Sequence, residues 1–287
     1  MQTVNTLTTL REAVDDLRLT GSVALVPTMG ALHDGHMTLV RAARERAGHV
    51  VVSIFVNPRQ FGPREDLAAY PRQLAADQQR LADAGVALLW APPVEVMYPQ
   101  GYATSVSVAG LSEGLCGALR PGHFTGVATV VLKLFNQVQP DVALFGEKDW
   151  QQLAVIRRFA QDLNLTSPCV KNIVGVPIVR EADGLAMSSR NAYLSAEQRQ
   201  VAGQLNLLMR QALARIEMGE AVPGVLADVE QAIVAAGFTS VDYATLADAA
   251  SLAPLGQTTQ APARLLVAAR LGKTRLIDNM PLREMAA

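Results

Sequence analysis

Short, almost continuous apolar runs alternate with amphipathic helical patterns along the first 176 residues. Residues 21–26 and 49–56 are rich in Val and Ile, which is typical of strands buried on both faces of a parallel sheet, and residues 36–47 between them have helical spacing. The pattern predicts an α/β fold with a Rossmann-like parallel sheet. Further cycles predict strands over 86–90, 141–145 and 169–174 and helices over 74–84, 125–138 (capped by Thr125) and 150–163.

After about Val176 this alternation gives way to a long helix followed by closely spaced strands. Ser195 and Gln198 form a predicted capping box for a helix that reaches Glu217. We therefore predict two domains: residues 1–176 form a Rossmann-like nucleotide- and substrate-binding catalytic domain, and residues 177–287 form a smaller α+β lid domain. The second domain is expected to contain a further helix over 223–236, strands over 241–246, 263–271 and 274–278, and a two-residue hairpin turn at 272–273.

Composition limits the classes of partner. The 287 residues carry a formal net charge of −1, so no global positive field favours nucleic acid or an anionic membrane. Every apolar stretch is interrupted before the roughly 18 residues that a membrane span needs, and the acidic N-terminus is unlike a signal or transit peptide. Two cysteines, Cys116 and Cys169, are too few for a disulfide framework or a four-ligand zinc site. We expect a cytoplasmic protein without a nucleic-acid or membrane partner.

The most informative motif is the segment PTMGALHDGH at 27–36, between a predicted strand and a predicted helix. His33 and His36 stand three residues apart at the helix N-terminus, where imidazoles and the helix dipole can face one phosphate. Gly30 and Gly35 allow close backbone approach to a ligand, so we expect backbone N–H groups of this loop to donate to the phosphate as well. A zinc site would need a third ligand, and Asp34 projects from a different direction. The motif predicts binding of a nucleotide's phosphates.

Four further segments carry side chains suited to the same chemistry. Lys148, in the GEKD segment at 146–149, could reach phosphate, and the MSSRN segment at 187–191 could grip phosphate oxygens, whereas a solvated ion pair and a plain turn are their alternatives. Arg120 could bind an anion or belong to loop structure. Asn57, Gln60 and Gln152 could hydrogen-bond a small polar substrate or be exposed loop polarity. The chain contains neither a P-loop nor a Gly-x-Ser-x-Gly elbow.

These segments together resemble the pantoate–β-alanine ligase family, within the wider His-x-Gly-His nucleotidylyltransferase superfamily. Nearly the whole chain takes part in the resemblance, with no departure at a signature position. The matching segments, in the family's order, are PTMGALHxGH (27–36), SIFVNPxQF (53–61), YPR (70–72), RPGHFxG (120–126), FGxKD (145–149), QQ (151–152) and SSRN (188–191).

The resemblance implies ATP-dependent amide formation from pantoate and β-alanine through an acyl adenylate. It also implies Mg²⁺ as the partner of ATP and a homodimer. The sequence leaves the protein ligands of Mg²⁺ open, with Asp77 as one candidate. The expected catalytic residues are His36, as proton donor, His33 and Lys148. Gln60 would contact both pantoate and β-alanine, and Gln152 would bind pantoate. Further substrate-binding candidates are Asn57 and Arg120. The expected ATP-binding residues are Met29, Gly30, Ala31, Leu32, His33, Asp34, Gly35, His36, Gly146, Glu147, Lys148, Asp149, Val179, Met187, Ser188, Ser189 and Arg190.

Two other classes of function share the nucleotide-binding motif. A nucleotidylyltransferase would attach a nucleotide to a phosphorylated acceptor and stop there, but such an acceptor calls for basic residues where this chain has Gln60 and Gln152. A regulatory protein would bind nucleotide without turnover. Release of pyrophosphate from ATP and pantoate alone separates both from the ligase.

Overall fold

The computed structural model describes residues 1–63 and 65–283 and divides the chain into two compact units. The first contains residues 1–147 and 152–177, and the second contains residues 148–151 and 178 onward. The predicted boundary at 176/177 lies close to this division. The prediction is wrong for residues 148–151, which it assigned to the first domain but which pack with the second unit.

A six-stranded parallel sheet forms the first unit, in the spatial order β1-β4-β3-β2-β5-β6. Residues 23–26 of β2 are all fully buried, as expected of a strand covered on both faces. Its strands are Gln2–Val4 (β1), Val23–Thr28 (β2), His49–Ile54 (β3), Leu88–Trp90 (β4), Val142–Gly146 (β5) and Ile173–Val176 (β6).

Seven helices connect these strands in the described part of this unit; four of them (α2, α3, α6 and α7) were predicted, with shifted ends. The helices are Leu7–Arg18 (α1), Asp34–Arg44 (α2), Leu74–Asp83 (α3), Val94–Met97 (α4), Cys116–Leu119 (α5), His123–Val138 (α6) and Trp150–Asp162 (α7). Thr125 is not the predicted cap: it lies inside α6, whose N-cap is Gly122 in the left-handed region at φ 81°. At the sheet edges, the three-residue strand β1 was not predicted, and the strand predicted over 169–174 begins only at Ile173, because residues 170–172 form a 3₁₀ turn.

The strand order places the topological switch point between β2 and β5. From β2 the chain proceeds through β3 to β4 on one side, whereas β5 and β6 lie on the other. Open α/β sheets bind ligands outside the carboxyl ends of the strands at such a point. The segments that begin after Thr28 and after Gly146 therefore occupy the positions where this sheet is expected to bind a ligand.

The second unit packs two helices on a three-stranded antiparallel sheet. Ser195 and Gln198 form the predicted capping box, since each backbone N–H donates to the other residue's side chain. The hairpin turn at 272–273 also forms, with Gly272 at φ 58°. This α+β arrangement confirms the predicted fold, whereas the lid role stays a prediction. Its elements are Ala196–Glu217 (α8), Val222–Ala235 (α9), Ser240–Asp248 (β7), Ala263–Leu271 (β8) and Thr274–Pro281 (β9).

Candidate active site

The loop after β2 is held by a buried carboxylate. Gly30 and Ala31 have positive φ angles of 81° and 50°, and the N–H groups of Ala31 and Leu32 donate to the two oxygens of Asp77 at 2.8 and 2.9 Å. A Cβ on Gly30 would lie 3.1 Å from Asp77 Oδ2, a tight contact that favours glycine together with the positive φ. Asp77 is 1% exposed. In the structure this carboxylate fixes the loop, and because both of its oxygens already accept backbone N–H groups it is a poor candidate for a ligand of Mg²⁺.

The same contacts correct one expectation about phosphate binding. The N–H groups of Gly30, Ala31 and Leu32 donate to side chains of the protein, the first to Thr28 Oγ1 at 3.2 Å. These backbone donors therefore face inward. What the loop presents to a ligand is instead the start of α2 and its imidazoles, beginning at His33.

His33 and His36 lie together at the start of α2, as their spacing predicts. Their ring centroids are 4.0 Å apart, and the backbone N–H of His33 donates to His36 Nδ1 at 3.3 Å. Because Nδ1 accepts a hydrogen bond, the proton of a neutral His36 ring must be on Nε2. Asp34 is turned to Arg80, with an oxygen 2.8 Å from its guanidinium. His36 thus has an Nε2–H donor at a helix N-terminus, where anions are favoured.

Gln60 lies beside this loop, in the 3₁₀ turn Pro58–Gln60 that follows β3. Its Nε2 donates to the sulfur of Met29 at 2.9 Å, and its Oε1 accepts from Asn57 Nδ2 at 3.1 Å. The structure therefore brings together two residues, Met29 and Gln60, that sequence reasoning assigned to ATP and to pantoate. Both belong to the first unit.

In the structure Asn57 orients the side chain of Gln60, which corrects its expected role in substrate binding. It is 1% exposed, and its amide nitrogen donates to the carbonyl of Gly126 as well as to Gln60. Its Oδ1 accepts from the Tyr98 hydroxyl at 2.8 Å and from the Arg59 N–H at 3.3 Å. Every hydrogen-bonding group of this amide is therefore used inside the protein, where it orients Gln60.

Arg120 is likewise occupied by the protein rather than offered to an anion. Its Nε and Nη2 donate to the two oxygens of Glu65 at 2.8 and 2.6 Å. His123 Nδ1 lies 2.8 Å from the carbonyl of Gln60, so this cluster braces the turn that carries Gln60. Burial alone would raise the pKa of Glu65, but the hydrogen bond and charge of Arg120 outweigh it and hold that pKa below its ordinary value. The expected anion contact of Arg120 is therefore replaced by an ion pair.

The turn after β5 presents Lys148. Gly146 ends the strand, and residues Glu147–Asp149 form a single 3₁₀ turn. Lys148 Nζ is 3.8 Å from Asp149 Oδ2, which is beyond hydrogen-bond distance. Its side chain is 19% exposed. Glu147 belongs to the first unit and packs against Gly175 of β6, since a Cβ there would lie 3.1 Å from Glu147 Oε1.

The remaining predicted ATP-binding residues form one hairpin in the second unit. The N–H of Met187 donates to the carbonyl of Val179 at 3.0 Å, which makes these residues neighbours. Ser188 Oγ accepts from the Arg190 N–H at 3.3 Å and caps the 3₁₀ helix Ser189–Tyr193. The segment is therefore a capped turn, the alternative that its sequence left open, and it also places hydroxyl and guanidinium groups together. Gln152 lies in the first turn of α7 and is half-buried.

Sequence reasoning missed the polar residues of β9. Asp278 and Asn279 are 3% and 2% exposed, and Asn279 Nδ2 donates to the backbone carbonyl of Lys148 at 3.0 Å. A signal was present in the sequence, because two adjacent polar residues interrupt an apolar strand pattern at 274–281. Their partners, however, are far away along the chain.

No group of three or more His, Cys, Asp or Glu side chains suited to a metal ion occurs among residues 1–63 and 65–283. In that part of the chain there is also no helix long and apolar enough to cross a membrane.

Comparison with known proteins identifies relatives over almost the whole chain. The family model described as pantoate-beta-alanine ligase matches residues 2–281. The pantothenate synthetase of Novosphingobium aromaticivorans is 64% identical over 281 residues, which cover 98% of both chains. That of Sphingopyxis alaskensis is 59% identical and covers 98% of this chain and 100% of the relative.

Solved structures agree with the sequence comparison. The pantothenate synthetase of Thermus thermophilus superposes with a TM-score of 0.92 at 48% identity, covering 98% of this chain and 99% of that one. The pantoate-beta-alanine ligase of Francisella tularensis, solved in complex with beta-gamma ATP and β-alanine, has a TM-score of 0.83 at 31% identity and covers 100% and 99% of the two chains.

Proposed function

Because the chain belongs to the pantoate-beta-alanine ligase family, we propose that it joins (R)-pantoate to β-alanine through a pantoyl adenylate made from ATP. The ligation itself follows from family membership. The adenylate route, with release of pyrophosphate and then AMP, is the part that we propose. The observation that carries it is the pairing of His33 and His36 at the start of α2, with an Nε2–H donor on His36, beside the switch point of the sheet.

In the first step, an oxygen of the pantoate carboxylate attacks the α-phosphorus of ATP, and the bond to the pyrophosphate oxygen breaks. Such a transfer needs little acid–base chemistry, so positioning and charge stabilisation dominate. We assign the α-phosphoryl oxygens to Lys148. His33 and His36 stabilise the charge that moves onto pyrophosphate, and His36 does so by donating from Nε2 rather than by requiring a cationic ring.

Within the second unit, we assign stabilisation of the charge on pyrophosphate to Ser188, Ser189 and Arg190. Hydroxyl and guanidinium donors are well suited to phosphate oxygens, because charge-assisted hydrogen bonds are the strong ones. Val179 and Met187, which neighbour each other across the hairpin, are assigned to the adenosine. These roles rest on residue chemistry and on the family resemblance.

In the second step, the amine of β-alanine attacks the acyl carbonyl, loses a proton and displaces AMP. Gln60 and Gln152 are assigned to pantoate, because amides can bond both hydroxyls and carboxylate oxygens. Asn57 supports this assignment indirectly: its Nδ2 donates to Gln60 Oε1 and keeps that side chain in one orientation.

Mg²⁺ fits the donor set only as a partner of ATP. Asp77 is committed to backbone N–H groups, and the described residues contain no carboxylate cluster, so ATP phosphate oxygens and water would supply most of its ligands. When bound, the ion would neutralise phosphate charge. A homodimer also remains part of this proposal, and sedimentation velocity measures it directly.

The decisive experiment separates the two steps. Protein supplied with ATP, Mg²⁺ and pantoate should release pyrophosphate without β-alanine, and addition of β-alanine should yield AMP and pantothenate. Absence of pyrophosphate until β-alanine is added would contradict a free-standing adenylation step. A nucleotide-binding protein without turnover would release nothing in either case.

A further inference from the structure

The short segment 148–151 packs with the second unit, although β5 and most of α7, on either side of it in sequence, belong to the first. Lys148 is therefore held by residues that are distant in the sequence. The contacts that hold it lie on β8, β9 and the loop after β7, and all of them are within the second unit.

Asn279 makes the most direct of these contacts. Its Nδ2 donates to the carbonyl of Lys148 at 3.0 Å, and its Oδ1 accepts from Arg264 Nε at 2.8 Å. The Asn279 backbone N–H donates to Asp278 Oδ1 at 2.7 Å. Because both ends of this 2% exposed amide are bonded, its orientation is fixed and so is the carbonyl that it holds.

Trp150 holds the segment from its other end. Its indole N–H donates to the carbonyl of Ala249 at 2.9 Å, and the guanidinium of Arg264 lies 3.8 Å from the ring centroid. Arg264, 8% exposed, therefore contacts both Trp150 and Asn279. One arginine thus contacts both Trp150, which follows Asp149, and Asn279, which binds the carbonyl of Lys148.

The same network extends to the hairpin that carries Val179 and Met187. Arg180 donates from two nitrogens to the two oxygens of Asp278, at 2.6 and 3.0 Å, and also to the carbonyl of Gly184. Arg180 pairs with Ala186 across the hairpin. The buried carboxylate next to Asn279 therefore anchors a second segment to which we assign ATP contacts.

Stability alone gives no reason for this arrangement. A buried charged or polar network is often no more stabilising than well-packed apolar side chains of the same volume. When each of its members is hydrogen-bonded, however, it fixes one geometry. Here the fixed elements are the backbone of Lys148 and the hairpin at 179–187, while the Lys148 ammonium itself makes no short ion pair with its neighbour Asp149. The network therefore fixes the backbone at Lys148, and the Lys148 ammonium is the group that would contact a ligand.

We propose that Asn279, supported by Arg264 and Trp150, is a positioning residue that sets the location of Lys148 for adenylation. This inference rests on the proposed role of Lys148. A displacement of about 1 Å in a group that must meet a transition state can cost roughly 10²-fold in rate. Loss of the Asn279 contact therefore acts on the rate of the chemical step rather than on pantoate binding.

The test uses Asn279→Asp, which keeps an oxygen for Arg264 but replaces the donor to the Lys148 carbonyl with a carboxylate oxygen that cannot donate. It also adds a negative charge beside Asp278, so Trp150→Phe, which adds no charge, is measured in parallel. Pyrophosphate release is measured with ATP and pantoate, without β-alanine, at saturating and limiting pantoate. We expect the saturated rate to fall about 10-fold or more, with the KM for pantoate unchanged within about twofold. Trp150→Phe, which removes the indole N–H but keeps a ring beneath Arg264, should shift the rate in the same direction by less.

Asp242→Asn is the matched control. Asp242 binds Arg270 and Arg275 in the same three-stranded sheet, at 3.2 and 2.6 Å, so this variant also weakens an ionic contact there but leaves Lys148 alone. Its thermal midpoint should fall, while its rate of pyrophosphate release stays at the wild-type value.

A double variant tests whether the effect passes through Lys148. In a Lys148→Ala background, Asn279→Asp should change the residual rate by less than about twofold, because the group that it positions is gone. An undiminished effect there would overturn the inference, as would wild-type rates in folded Asn279→Asp and Trp150→Phe proteins. If Asn279→Asp does not fold, Trp150→Phe decides. Failure of the wild type to release pyrophosphate would instead reject the adenylate route.

Discussion

The loop after β2 and the turn after β5 stand at the same topological position but are held in opposite ways. Ala31 and Leu32 donate their N–H groups to the carboxylate of Asp77, 46 and 45 residues further along the chain in the same unit. Lys148 accepts an N–H at its backbone carbonyl, from Asn279, which is 131 residues away in the second unit. A carboxylate anchors donors in one case, and an amide anchors an acceptor in the other.

The comparison shows which groups of each segment hold the chain in place and which are left to contact a ligand. In both, backbone polar groups are used to fix the chain, so the groups presented outward are side chains: imidazoles in the first, an ammonium in the second. A buried backbone group must be paired somewhere, and pairing it internally avoids the cost of an unsatisfied donor or acceptor. The expectation that loop N–H groups themselves bind phosphate failed for this reason.

The largest effect should come from removing the outward group of the β5 turn. Lys148→Ala should lower the rate of pyrophosphate release from ATP and pantoate by about 10²–10³-fold, because a preorganised charge on the reacting phosphate is lost. Circular dichroism and the thermal midpoint should stay close to wild type, since the backbone anchor from Asn279 remains. Near-normal turnover would remove Lys148 from the mechanism.

Removing the anchor of the β2 loop should affect stability as well as activity. Asp77→Ala leaves two buried N–H groups without their acceptors and should lower the free energy of unfolding by about 2–4 kcal/mol, measured by urea denaturation. The KM for ATP should rise in the same variant. Asp83→Ala, on the exposed side of the same helix, is the control and should stay within about 0.5 kcal/mol of wild type. A normal unfolding free energy for Asp77→Ala would show that the loop does not depend on this carboxylate.

Gln60→Ala tests whether this side chain binds pantoate rather than ATP. The KM for pantoate should rise about 10-fold, the loss of roughly one hydrogen bond to a charged group, while the Kd for ATP changes little. Initial-rate kinetics and calorimetry give the two quantities. Because Gln60 also contacts Met29, an equal loss of both affinities would indicate collapse of the turn rather than loss of a substrate contact.

The smallest effect concerns the ion pair that braces this turn. The pKa of Glu65 is lowered in the folded protein, so its pairing with Arg120 stabilises the fold above the ordinary carboxyl pKa and loses that contribution as the pH falls through the lowered value. Glu65→Gln should therefore reduce the unfolding free energy by about 1 kcal/mol at pH 7 and by nothing measurable well below pH 4. A difference that persists at low pH would contradict an ionic origin.

Local patterns predicted much of the molecule. Continuous Val and Ile runs predicted the buried strands around β2 and β3, and the Ser195–Gln198 capping box predicted the start of α8, because both depend on neighbours in sequence. The short edge strand β1 was missed because three residues, two of them exposed, carry no periodic signal. Asn57 and Arg120 were correctly noticed as polar residues near the site, but what they contact depends on α6 and on Glu65.

Taken alone, the sequence determined the two-part α/β and α+β architecture, the paired imidazoles at a helix start and the family to which the chain belongs. It did so because these features reside in local periodicity and in short ordered motifs. Only the tertiary structure decided that Asp77 holds backbone N–H groups, that Asn57 orients Gln60 and that Asn279 holds Lys148. A buried polar group takes whichever partner the packed chain brings to it, and sequence spacing carries no information about that partner.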